Sequence, residues 1–186
     1  MRIGTFSRSG LALLLVSAAV AQADEPRTLA DWSQAPLGDE SGRVVSVDVL
    51  RNPISNKARQ TLRQALRLMQ AEKHSEAIQL LRDTLVKYPS AAGWVHSLLG
   101  FELLKTTQFA AAAASFEKAV ELMPHDASNH QNFGIALAGI GDYPRAEEQA
   151  RRALQLAPGD PQIRRFLDAL AGLRHNPVPE TAADQR

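Results

Sequence analysis

Three prolines set the ruler for this chain. Pro89, Pro124 and Pro158 stand 35 and 34 residues apart. Twelve residues before each is an alanine, Ala77, Ala112 and Ala146, and twenty-four before each is a small residue, Ala65, Gly100 and Gly134. Five before the last two prolines come Ala119 and Ala153, where the first unit has Thr84. A period of this length, carried by small residues at fixed places, describes a repeated supersecondary unit whose copies bury their surface against one another.

Each marker has a physical reason. A small residue on one helix lets a second helix approach closely, and large residues between them, such as Leu81 and Phe116, fill the gap. Proline cannot continue a helix interior, so it ends the second helix of a unit. Gly141 supplies a tight turn between the two helices of its own unit. Composition agrees with this reading: the chain holds 30 alanines and 24 leucines but only 5% aromatic residues. That mixture favours nested helices over a sheet rich in β-branched and aromatic side chains.

The residues that carry the period resemble the tetratricopeptide repeat, above all Gly141-Asp142-Tyr143-Pro144-Arg145-Ala146 with Ala153 and Pro158. The resemblance covers repeats at 58–91, 93–126 and 127–160 and a cap helix at 161–173. It implies an all-α fold, a right-handed superhelical solenoid of three helix-turn-helix repeats plus that C-terminal cap. Two departures stand out. His96 and His130 occupy the place of the family's usual tryptophan, and one extra residue separates the first two prolines.

The resemblance further implies a concave groove lined by first helices. Its positions fall on Leu62, Leu66, Met69 and Gln70, then on Trp94, Ser97, Phe101, Leu104 and Lys105. The third unit adds Ser128, Gln131, Ile135 and Ala138, and the cap adds Gln162 and Arg165. That set is apolar enough to suit an amphipathic helix or an extended peptide, with Trp94 and Phe101 as anchors. Members that bind acidic carboxyl-terminal tails use basic and amide residues where this chain has Leu62, Leu66, Leu98, Ser128 and Asn132. Only the last matches, so that basic clamp is missing.

Outside the repeats the sequence changes character. Residues 1–23 run from Arg2 and Arg8 through the apolar Leu11–Val20 to Ala21-Gln22-Ala23. This is the order of a secretory signal peptide, cleaved after Ala23 and leaving no membrane insertion, with an apolar run about half the ~20 residues of a spanning helix. The expected location is periplasmic or secreted. Removing the segment takes two of the 21 basic residues and turns a formal charge of +1 into −1. Residues 24–54 read as an irregular arm with a possible short strand in which Val45, Val47 and Val49 share one face. Residues 55–173 form the repeat domain, and 174–186, with Pro177 and Pro179, read as a disordered tail.

No reactive chemistry is spelled out. There is no cysteine, and neither a phosphate-binding glycine loop nor a serine elbow occurs. His96 and His130 hold equivalent places in successive units, on the order of 9 Å apart, too far for a shared metal. They read as packing residues, His125 as a turn residue, and His74 and His175 as solvated. Near-neutral charge and sparse Arg151-Arg152 and Arg164-Arg165 pairs argue against nucleic acid. The expected function is that of a non-enzymatic scaffold in the cell envelope that needs no cofactor. It would bind a protein or peptide partner in the groove. The alternative is a self-associating structural protein whose arm fills its own or a neighbour's groove.

Overall fold

A computed structural model describes residues 54–175. The signal segment, the arm up to residue 53 and the tail beyond 175 lie outside them. Seven α-helices follow in order: α1 (Asn56–Gln70), α2 (His74–Lys87), α3 (Ala92–Lys105), α4 (Phe109–Leu122), α5 (Ala127–Gly139), α6 (Tyr143–Leu156) and α7 (Pro161–His175). A 3-10 turn, Pro89–Ala91, precedes α3. The helices pair as antiparallel hairpins, α1 with α2, α3 with α4 and α5 with α6, and each second helix also packs on the first helix of the next unit. The chain is an all-helical array of stacked pairs, closed by α7 on α6. Among the described residues no helix is long and apolar enough to cross a membrane.

Small residues sit where the helices nest. A Cβ added to Gly100 would meet three ring carbons of Phe116 at 3.0 Å, and one added to Gly134 would meet the Ala146 carbonyl oxygen at 3.0 Å. Ala77, Ala112, Ala119, Ala146 and Ala153 are fully buried at the matching places. Thr84 is buried where the later units have alanine. Its hydroxyl is satisfied by donating to the Leu80 carbonyl at 2.6 Å.

The turns inside the three hairpins share one design. The penultimate linking residue adopts positive φ in each: Glu72 at 57°, Thr107 at 59° and Gly141 at 85°. Paired hydrogen bonds close each turn, for example Gln108 N to Leu103 O at 2.8 Å and Thr107 N to Leu104 O at 3.0 Å. This is the left-handed helix ending in which two orphan carbonyls regain partners. Only the third unit uses the residue best suited to it.

Helix starts are marked by side-chain caps on most units. Ser55 accepts from Ala58 N, Asp126 from Asn129 N, Asp142 from Arg145 N and Asp160 from Gln162 N. The exception is α3, which follows the 3-10 turn and has no side-chain cap. The extra residue between Pro89 and Pro124 resides here: α3 begins at Ala92, one residue before Gly93, whose equivalent Ala127 starts α5. Ile54, read from sequence as the end of the arm, is buried as part of the core that begins with α1.

Candidate functional site

The first helices α1, α3 and α5 lie side by side, and their register decides which side chains share a face. Gly93 and Gly100 point at Met123 and Phe116 of α4. Helical geometry then turns Trp94, Leu98, Phe101 and Lys105 away from the second helices, on one stripe spaced by four, three and four residues. On α5 the same construction starts from Gly134, which points at Ala146 and Phe166, and it gives Ser128, Asn132 and Ile135. On α1 the stripe is Arg59, Arg63, Leu66 and Gln70.

The centre of this face is dry. Trp94 is 1% exposed, Phe101 5% and Ile135 1%, and Leu98 and Asn132 are buried with them. In α5 every residue from Asn129 to Ala138 is buried, and α3 leaves only Ala92, His96 and Lys105 outside that class. The rim is charged and open: Arg63, Lys105 and Arg165 are exposed, with the Lys105 ammonium 6.0 Å from the centroid of the Phe101 ring. A desolvated apolar centre ringed by polar groups is the anatomy of a binding patch.

The other residues expected in the groove divide between seams and surface. Ser97 faces α5, donating from its hydroxyl to Asn129 Oδ1 at 2.6 Å inside the stack. Leu62, Met69, Leu104, Gln131 and Ala138 are buried, at positions that flank the stripe. Leu66, Ser128 and Gln162 are half-buried and Gln70 is exposed. Arg165 donates from Nε to the Pro161 carbonyl at 3.2 Å.

The histidines resolve into distinct environments. His130 is buried against α6, with Nδ1 at 2.8 Å from the Gln149 side-chain oxygen and Nε2 donating to the Pro124 carbonyl at 3.1 Å. His96 is half-buried and its Nδ1 has no hydrogen-bond partner. Burial lowers its pKa below the usual 6.5, nearby Lys118 adds to that, and Glu121 partly opposes it. His74 departs from the expectation of a solvated turn residue. Its Nδ1 contacts Glu102 Oε1, and Glu102 is fully buried on α3. The pair ties the first hairpin to the second. Sequence reasoning missed Glu102, although one signal was present: it is a lone carboxylate inside the apolar run from Trp94 to Leu104.

The outer face carries exposed ion pairs. Arg145 bonds Glu117 at 2.9 Å, Lys118 bonds Glu121 at 2.8 Å, and Arg151 pairs with Glu147. Among the described residues no three histidine, aspartate or glutamate side chains cluster to hold a metal.

Comparison with known proteins agrees with this architecture. Residues 103–170 match the family model described as Tetratricopeptide repeat. The chain is a tetratricopeptide-repeat protein. No curated protein matches the sequence. The first TPR of Spaghetti (RPAP3), solved bound to the HSP90 peptide SRMEEVD, superposes with a TM-score of 0.62 at 17% identity, over 65% of this chain and 95% of that one. The Sgt2 TPR domain from Aspergillus fumigatus gives 0.62 at 17%, over 71% and 90%. MamA from Desulfovibrio magneticus RS-1, solved from residue 41 to its end, gives 0.60 at 17%, over 92% and 89%. At these identities the likeness speaks for the fold.

Proposed function

We propose that this chain is an interaction module of the cell envelope that holds an extended peptide segment across α1, α3 and α5. The observation that carries the reading is the face itself. An apolar centre of Trp94, Leu98, Phe101 and Ile135 is walled by exposed cationic side chains, on helices aligned like the rungs of a ladder. Peptide recognition by the Spaghetti relative shows what this fold can do, and the chemistry differs here. Leu62, Leu66 and Leu98 stand at places where tail-binding members use polar groups, so shape and apolar burial replace carboxylate capture. The envelope follows from the three-zone segment at residues 1–23. Neither a nucleophile with its base nor a metal set accompanies the face, and the reading is accordingly one of binding, not catalysis.

The test uses a photo-crosslinking amino acid at position 105, on the open rim, in cells that produce the protein. Position 86 on the outer surface, where Val86 is 84% exposed, is the control. A defined partner captured from 105 and not from 86 supports the proposal. Equal capture from both positions, or none from 105, refutes it. Fractionation with amino-terminal sequencing tests the location: a periplasmic or secreted chain that starts at Asp24 is expected, and a cytoplasmic chain that keeps Met1 contradicts it.

A further inference from the structure

The dry centre of the first-helix face poses a question that the described helices leave open. Trp94, Leu98 and Phe101 on α3 and Asn132 and Ile135 on α5 are buried on the side away from α4 and α6. The elements packed on α3 are α2, the 3-10 turn, α4 and α5, and those packed on α5 are α3, α4 and α6. Among the described residues no element lies across the stripe that these side chains form. Burial on that side therefore needs a covering segment.

We propose that the face is occupied by the chain's own residues Val44–Leu50, lying extended across α3 and α5. The proposal rests on the reading of this face as a peptide site and names its resident. Three observations select this segment. First, the chain enters the repeat core at Ile54, which is buried, so Val44–Leu50 is tethered to the start of α1 by only Arg51, Asn52 and Pro53. Second, its length fits. Seven extended residues span about 23 Å, and crossing from α1 past α3 to α5 covers two helix spacings, roughly 16–20 Å. The alternation of Val45, Val47 and Val49 then offers one apolar edge to the dry centre.

Third, the charges are complementary. Residues 24–53 carry six acidic against three basic side chains, and Asp48 lies inside the segment, while the rim presents Arg63, Lys105 and Arg165. A tethered occupant of this kind is present at high effective concentration, so an incoming peptide must displace it. The site is then self-inhibited, and only a peptide that outcompetes the tether gains the groove.

The test keeps the chain from Asp24 onward and replaces Trp32 with Phe, which leaves Trp94 as the sole tryptophan. Expected is blue-shifted emission with weak acrylamide quenching. Introducing Val45→Asp, Val47→Asp and Val49→Asp together should red-shift the emission and raise quenching severalfold, with far-UV circular dichroism unchanged. Trp94 that stays protected in the triple variant overturns the proposal.

A second arm does not depend on that variant. The chain lacks cysteine, so Asp48→Cys with Lys105→Cys gives a clean pair for a short bis-maleimide. A crosslink within monomers supports the proposal. Crosslinks found only between two chains assign the face to a second copy and overturn it. Failure here is separable from failure of the proposed function. A face that never closes on Val44–Leu50 but captures a partner from position 105 keeps the function, and a face that opens on arm substitution but binds nothing keeps only the inference.

Discussion

Gly100→Ala tests whether small residues at the repeat positions set the spacing of the helices. The added Cβ would lie 3.0 Å from Cδ1, Cδ2 and Cε1 of Phe116 at once. It therefore sits over the face of the ring, where rotation about χ2 gives no relief and the whole ring must retreat. Phe116 is fully buried, so that retreat compresses a packed core at a cost of about 1–3 kcal/mol. Alanine in a helix interior returns about 1 kcal/mol relative to glycine. The single variant should lose roughly 0–2 kcal/mol.

Phe116→Leu removes three carbons and should cost about 2 kcal/mol at ~0.8 kcal/mol per buried carbon. It also vacates the space that the new methyl needs. In that background Gly100→Ala should stabilise by about 1 kcal/mol, giving a coupling of roughly 1–3 kcal/mol in the double-mutant cycle. Urea unfolding of all four proteins, followed by far-UV circular dichroism, reads the cycle. Additivity within about 0.5 kcal/mol would refute the reasoning, because independent sites behave that way.

The remaining predictions concern other features of the array. Thr107→Gly should stabilise the protein by about 1 kcal/mol in urea unfolding, because a β-branched residue is held at φ 59°; Gly141→Ala should destabilise by a similar amount. His74→Ala should cost about 1–3 kcal/mol by stranding the buried Glu102 carboxylate, and adding Glu102→Gln should recover part of that loss in the same assay. His96 binds its proton less readily in the folded protein than in the unfolded chain. Its contribution to stability is therefore complete above pH 6.5 and is lost as the pH falls below that value. A His96→Gln variant should show a shallower decline of urea midpoint on acidification, and an unchanged decline would assign the effect to other groups.

What the sequence made legible was the period and its physical cause. Gly100 and Gly134 were placed as close-approach residues by their distance from Pro124 and Pro158, and each meets the neighbouring helix as that spacing requires. The turn of the third hairpin was readable from Gly141. Its counterparts were not, since Glu72 and Thr107 adopt the same left-handed backbone without the residue type that advertises it. The His74–Glu102 contact joins residues 28 apart on different hairpins. Nothing local in either neighbourhood announces it.

The candidate site shows a different limit. Helical register identifies which side chains share the first-helix face, and Trp94, Phe101, Lys105 and Ile135 do share it. Ser97, placed there by family position, is instead spent on the seam with Asn129. Register says nothing about water, and the burial of Trp94 and Phe101 depends on what lies over the face rather than on the helix that carries them.

The central claim is that the first-helix face accepts an extended apolar peptide, and a titration tests it most directly. A fluorescently labelled peptide spanning Arg43–Asn52 would be added to the chain carrying Val45→Asp, Val47→Asp and Val49→Asp, with anisotropy as the readout. The account predicts saturable one-to-one binding that Phe101→Ala weakens at least about tenfold, the loss expected for a hot-spot aromatic. No saturable binding, or the same affinity with Phe101→Ala, would contradict it.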